Sequence, residues 1–231
     1  ITKEEIYNKW AMGMKVLITA QTGAGKSYFI QNTLYEYCKE NDIRCVLFSN
    51  RDLLKRQNMA FLEDKMDVFN VENYQNIEIK LDGGIDFGAL FSKYQVVVFD
   101  EAHHFFFDSS FNRRTDLLLK TLKQKFPNKI FVFLTATPQI LLEYHRNYDL
   151  KYNMGSDYSY IESLSFYTKD SAVEAILQNL EYGEKAIFFA NKTKDAYMMA
   201  EKFAEESSFI CSESSDYKNY RNEETLREIA F

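Results

Sequence analysis

A chain of 231 residues is long enough for one or two domains with a real core, and its 46% hydrophobic and 27% charged content is that of an ordinary globular protein. Eight glycines and two prolines exclude collagen-like repeats and long flexible linkers, and no run of about 18 apolar residues exists that would cross a membrane as a helix. The net charge of −6 gives no positive support for a nucleic-acid partner, but it is uneven: eight acids face four bases between Glu201 and Glu228, and six bases face one acid between Arg113 and Lys129.

Ile1 to Trp10 alternates charged and apolar residues and lacks the apolar core of a signal peptide. Met14–Ala20, Arg44–Ser49, Tyr94–Phe99 and Lys129–Leu134 are short runs rich in Val, Ile and Phe and bounded by polar residues, which predicts buried strands of a parallel sheet. Between them Ser27–Lys39, Asp52–Asp64 and Thr115–Lys125 space their apolar residues as helices do, and Gly83-Gly84 marks a turn. Alternating strands and helices predict an α/β, three-layer fold around a parallel central sheet. A second set follows a boundary near residues 150–158. It has strands at Tyr160–Tyr167, Lys185–Ala190 and Phe209–Cys211, and helices at Ser171–Leu180, Lys194–Glu205 and Asn222–Phe231. The expected division is therefore 1–155 and 156–231, the second part being small for an α/β domain. The aromatic share of 16%, including Phe105-Phe106-Phe107, reads as core more readily than as a base-stacking surface. Cys38, Cys45 and Cys211 have no CxxC spacing, so reduced thiols of a cytoplasmic protein are expected, with neither a disulfide framework nor a zinc site.

Two segments carry chemistry. Ala20-Gln21-Thr22-Gly23-Ala24-Gly25-Lys26-Ser27 follows a strand and opens a helix. In that context the glycines let backbone N–H groups curl round phosphates, and the helix N-terminus favours negative charge. Lys26 is placed to reach the β- and γ-phosphates of a nucleotide and Ser27 to ligate Mg²⁺, which makes ATP and Mg²⁺ the expected cofactors. The usual pattern begins with Gly where this chain has Ala20. The second segment is Val96-Val97-Val98-Phe99-Asp100-Glu101-Ala102-His103, a buried strand ending in adjacent carboxylates, with Asp100 lying 74 residues after Lys26. Strand ends of an open parallel sheet line the ligand crevice. Asp100 there would hold the metal, and Glu101 would orient the attacking water.

These segments resemble superfamily 2 helicases of the DEAD/DEAH-box type. Asp100-Glu101-Ala102-His103 reads as a DEAH box, and Thr22-Gly23-Ala24-Gly25-Lys26-Ser27 as the helicase form of the Walker A loop. Leu134-Thr135-Ala136-Thr137-Pro138 resembles motif III, which links the ATP site to the nucleic-acid side. Ser49-Asn50-Arg51-Asp52-Leu53-Leu54 resembles motif Ia, and Tyr74-Gln75 the weak element after it. Lys185–Asn191 resembles motif IV, which opens a second RecA-like domain. The resemblance implies a RecA-like domain followed by the incomplete start of a second. It also implies a DNA or RNA partner touched by Asn50, Arg51, Tyr74 and Gln75, with nucleotide state passed on by His103, Thr135 and Thr137. Motion would open and close the two domains under control of the γ-phosphate.

Nothing after Asn191 matches the later motif that supplies an arginine finger. Such a finger is worth about 10³–10⁵ in rate, so it is expected from a remainder beyond Phe231, and this chain alone is expected to bind ATP with little turnover. Two other functions stay open on the residues. One is a P-loop kinase or metabolic NTPase that does not act on nucleic acid, which would share the loop and acidic strand end. The other is a catalytically weak nucleotide-binding module, which would explain the missing arginine but has no need of Glu101.

Overall fold

A run in which every residue is Val, Ile, Leu or Phe has no polar face, so it is stable only as a strand covered on both sides. Four such runs form the middles of the strands at the centre of the sheet: β1 (Lys15–Thr19), β2 (Cys45–Ser49), β4 (Val96–Phe99) and β5 (Ile130–Thr135). These are the four expected strands, nearly end for end. Two further strands complete the sheet, β3 (Phe69–Asn73) and β6 (Leu150–Asn153), and the order is β3-β2-β4-β5-β1-β6 with every pair parallel. The computed structural model describes residues 1–49, 52–73, 91–104, 124–144, 147–155, 157–159, 161, 171–181, 184–204, 207–211 and 215–222. The chain divides into two compact units, Ile1–Tyr158 and Ser159–Phe231.

The two-residue period of the strands sorts their side chains onto two faces. Val16, Ile18, Leu47, Val96, Val98, Val132 and Leu134 face one core. It is covered by α1 (Lys3–Lys9) and by a helical stretch, α2, built from an α-turn at Lys26–Tyr28, a π-helical segment at Phe29–Leu34 and an α-helix at Tyr35–Glu40. The intervening residues Leu17, Val46, Phe48, Val97, Phe99, Phe131 and Phe133 face the other core, with Phe91, Leu141 and Tyr148. Phe99 stacks on Phe48 at 5.4 Å and on Phe133 at 5.0 Å, pairs worth about 0.5–1.5 kcal/mol each beyond their area. These aromatics are therefore core, as expected; Phe105–Phe107 lie outside the described residues, as do the Gly83-Gly84 turn and all but the last two residues of the helix expected at Thr115–Lys125.

Local signals agree with the packing. Thr2 caps α1, its hydroxyl accepting from Glu5 N–H at 3.2 Å while the Glu5 carboxylate accepts from Thr2 N–H at 3.1 Å. Trp10 is buried after α1 and donates from Nε1 to the Tyr152 hydroxyl at 3.1 Å, tying the N-terminus to β6. The π-helical segment was not expected. The Asn32 amide donates to the Tyr28 carbonyl at 3.0 Å within it, an example of a side chain entering the helical ladder. Lys129, counted with the basic stretch, is buried, its ammonium donating to the Tyr94 carbonyl and lying over the Phe126 ring, so it belongs to no surface track. All three cysteines are free thiols, and burial pushes Cys38 up to about 12. Among the described residues no helix is long and apolar enough to cross a membrane.

The second unit holds helices at Ser171–Gln178 and Thr193–Lys202, close to two expected helices. The strands expected at Lys185–Ala190 and Phe209–Cys211 do not form among its described residues. A strand exists only through a partner ladder, and Ile187 and Phe189 remain 78% and 88% exposed. Most of the strand expected at Tyr160–Tyr167, and all but the first residue of the helix expected at Asn222–Phe231, lie outside the described residues.

Candidate functional site

The C-terminal ends of β1, β4 and β5 meet in one place. β1 runs out at Thr19, and Ala20 N–H donates to the Thr135 carbonyl at the end of β5, 3.0 Å away. The following loop turns at Gly23 (φ 81°) and Gly25 (φ 87°), in the left-handed region where a side chain is strained. A Cβ built on either glycine meets nothing within 4 Å, so backbone hand rather than crowding demands glycine there. Thr22, Gly23, Ala24 and Gly25 are exposed, and α2 begins immediately after them with Lys26 and exposed Ser27.

Lys26 turns back over the loop. Its side chain is only 11% exposed, and its ammonium donates to the carbonyls of Ala20 (2.9 Å) and Gln21 (3.4 Å). The same ammonium lies 3.5 Å from Glu101 Oε1. Sequence-distant Lys26 and Glu101 thus share one partly buried spot at the C-terminal ends of β1 and β4, across the intervening β5.

β4 delivers the carboxylates. Asp100 N–H donates to the Phe48 carbonyl of β2 at 3.0 Å, and Ala102 N–H to the Leu134 carbonyl of β5 at 2.8 Å. Between these two anchors Glu101 takes φ 48°, a left-handed conformation that costs a non-glycine residue about 1–2 kcal/mol and that marks functional turns. Burial pushes the Asp100 carboxyl up to about 6, and neighbouring Glu101 adds to this. Lys26, the Glu101 N–H and the Asn58 amide oppose the shift.

The end of β5 joins this group. Buried Thr135 places its hydroxyl 3.1 Å from His103 Nδ1 and accepts from Thr137 N–H at 3.0 Å. His103 Nδ1 is also 3.4 Å from Glu101 Oε2. Lys26, Glu101, His103 and Thr135 therefore form one connected polar chain, with Asp100 beside it. An ammonium and a glycine-hinged loop suit an anion; carboxylates beside them suit a hard cation or a water that must lose a proton. Asn50, Arg51, Tyr74 and Gln75 lie outside the described residues.

Two residues escaped the sequence reading in this role. Ser49 ends β2 with 1% exposure, and its hydroxyl accepts from the Asn58 amide at 2.8 Å. Asn58 is carried by α3 (Asp52–Phe61). Only the adjacency of β2 and β4 brings this pair to Asp100, and nothing in the sequence announces that adjacency.

A family model described as Schlafen group 3, DNA/RNA helicase domain, matches residues 14–151, more than half of the chain. No curated protein matches. Among solved structures, the Pyrococcus furiosus Hef helicase domain is similar at 19% identity with a TM-score of 0.47. The match covers 67% of this chain and 38% of that one, so the chain spans well under half the length of that structure.

Proposed function

Because the chain belongs to the Schlafen group 3 DNA/RNA helicase domain family, we propose that it is a nucleic-acid-dependent ATPase of the superfamily 2 type, which couples ATP hydrolysis to movement on DNA or RNA. The observation that carries this reading is the approach of the Lys26 ammonium to Glu101 beside Asp100, beneath a glycine-hinged loop. The loop from Thr22 to Gly25 curls round the phosphates, and Lys26 takes the β- and γ-phosphate charge. Glu101 orients the attacking water and accepts its proton. His103 and Thr135, bonded to each other, relay the state of Glu101 to the Thr137 backbone.

Mg²⁺ fits the donors present. Ser27 and Asp100 offer hard oxygen ligands, and among the described residues no three His, Cys, Asp or Glu side chains form a closed metal cage. A magnesium ion is commonly held by one or two protein oxygens with phosphates and water completing its octahedron. When bound, it would neutralise charge on the phosphates.

The test is ATP hydrolysis by the full-length protein, measured with no nucleic acid, with single strands and with duplexes of DNA and RNA. Stimulation that falls steeply with salt is expected, because backbone contacts release counterions. ATP binding with no response to any nucleic acid would favour the kinase or metabolic NTPase reading.

A further inference from the structure

Gln21 stands at the start of the phosphate loop, and two bonds leave it in different directions. Its carbonyl accepts from the Lys26 ammonium at 3.4 Å, and its side-chain Nε2 donates to the Asp157 carbonyl at 3.4 Å. Asp157 follows β6, close to where the first unit ends at Tyr158. The chain is pinned as it leaves the sheet. Met154 N–H donates to the Thr19 carbonyl at 2.9 Å, and Gly155, at φ 71°, donates to Asn153 Oδ1 at 3.0 Å. Past that turn Asp157 and Tyr158 are exposed, and the Gln21 amide reaches across to the first of them. The bond is weak: 3.4 Å is long for an amide and a carbonyl. Only the Nε2 end of an amide can face a carbonyl, which fixes where the other end points. Gln21 Oε1 is buried and has no hydrogen-bond partner among the described residues. A stranded acceptor costs free energy that is recovered once the side chain swings out to water.

We propose that Gln21 is a latch between the phosphate loop and the chain leaving β6, closed while Lys26 rests on the loop carbonyls and opened when nucleotide draws that ammonium away. The inference rests on the proposed reading of Lys26 as the group that takes the phosphate charge. Lys26 folds the start of the loop onto itself through the Ala20 and Gln21 carbonyls. An ammonium that moves to a phosphate leaves both carbonyls without their charged donor, and the Gln21 peptide is free to turn. The side chain turns with its own backbone, so Nε2 leaves Asp157 and Oε1 gains water. Nucleotide occupancy is then read out on the stretch of chain that leads into the second unit, without the nucleotide touching it. By reciprocity, the closed latch opposes nucleotide binding as much as nucleotide opposes the latch.

The experiment follows chymotrypsin cleavage after Tyr158, 60% exposed, by mass spectrometry of the whole chain with and without saturating Mg·ADP. It compares the unaltered protein with Gln21→Met, a side chain of similar length without the amide, and measures Mg·ADP affinity for both. In the unaltered protein Mg·ADP is expected to raise the initial rate of cleavage at Tyr158 about two- to tenfold, the worth of one net hydrogen bond, while cleavage elsewhere slows because the ligand stabilises the fold. Gln21→Met should be cut there at the fast rate without nucleotide, show no further rise, and bind Mg·ADP about two- to tenfold more tightly. A merely structural lesion of the loop would weaken binding instead. Cleavage at Tyr158 that nucleotide leaves unchanged or slows in the unaltered protein would overturn the inference, as would a Gln21→Met protein that responds like the unaltered one or binds more weakly. If Gln21→Met does not fold, the response of the unaltered protein decides alone. Absence of any Mg·ADP binding to the unaltered protein would instead bring down the reading of the site itself.

Discussion

The Lys26 ammonium lies 3.5 Å from Glu101 Oε1, one on the loop after β1 and the other on the turn after β4, although β5 stands between those strands in the sheet. Both turns hang from β5: Ala20 bonds to Thr135, and Ala102 to Leu134. The strand between them is the ruler that sets their spacing.

Glu101→Gln keeps shape and hydrogen-bonding size but removes the base. In the full-length protein ATP hydrolysis should fall by about 10²–10⁴ while Mg·ATP still raises the melting temperature. Unchanged hydrolysis would remove Glu101 from its role. Lys26→Ala should instead lose the nucleotide-dependent stabilisation, which is about 2.7 kcal/mol at a ligand concentration of 100 Kd, and hydrolysis with it.

Asp100 titrates near 6 because it is buried, against an ordinary value of 3.8. A carboxyl raised on folding favours the folded state below its unfolded pKa, and that advantage is lost as pH rises through about 6. Asp100→Asn should therefore stabilise the ligand-free protein at pH 7.5 by on the order of 2 kcal/mol, a gain that shrinks toward pH 4. In the unaltered protein, magnesium competes with the proton, so its midpoint should rise about tenfold per unit as pH drops below 6. Melting curves across this range check both signs.

Thr135→Val removes a hydroxyl that serves His103 and the Thr137 N–H inside a fully buried setting. A loss of about 1–3 kcal/mol in chemical denaturation is expected from the stranded partners. Nucleotide binding should persist while stimulation by nucleic acid drops, which separates relay from binding.

Gly13 has φ 91°, and a Cβ there would meet the Pro127 carbonyl oxygen at 3.0 Å. Gly13→Ala carries both backbone strain and a close contact with rigid main chain, so it should cost at least about 1–2 kcal/mol. Mg·ADP affinity per folded molecule should not change, because the residue lies at the opposite end of β1 from the loop.

Much of this protein was legible in its residues. The four central strands are apolar through their middles because both of their faces are covered, and that pattern needs no partner to be recognised. The loop Thr22–Ser27 and the Asp100-Glu101 pair were likewise visible as a glycine-rich and an acidic segment, each directly after an apolar run, and the fold brings Lys26 of the first to within 3.5 Å of Glu101 of the second. The tertiary structure alone decided the edges. β3 alternates buried and half-exposed residues, β6 is half-open throughout, and each becomes a strand only because a neighbour offers it a ladder. Leu150–Asn153, expected at a domain boundary, pairs with β1 for that reason. Likewise only the strand order puts Ser49 beside Asp100, because hydrogen bonding across a sheet depends on which strands are neighbours, a property that no local run of residues contains.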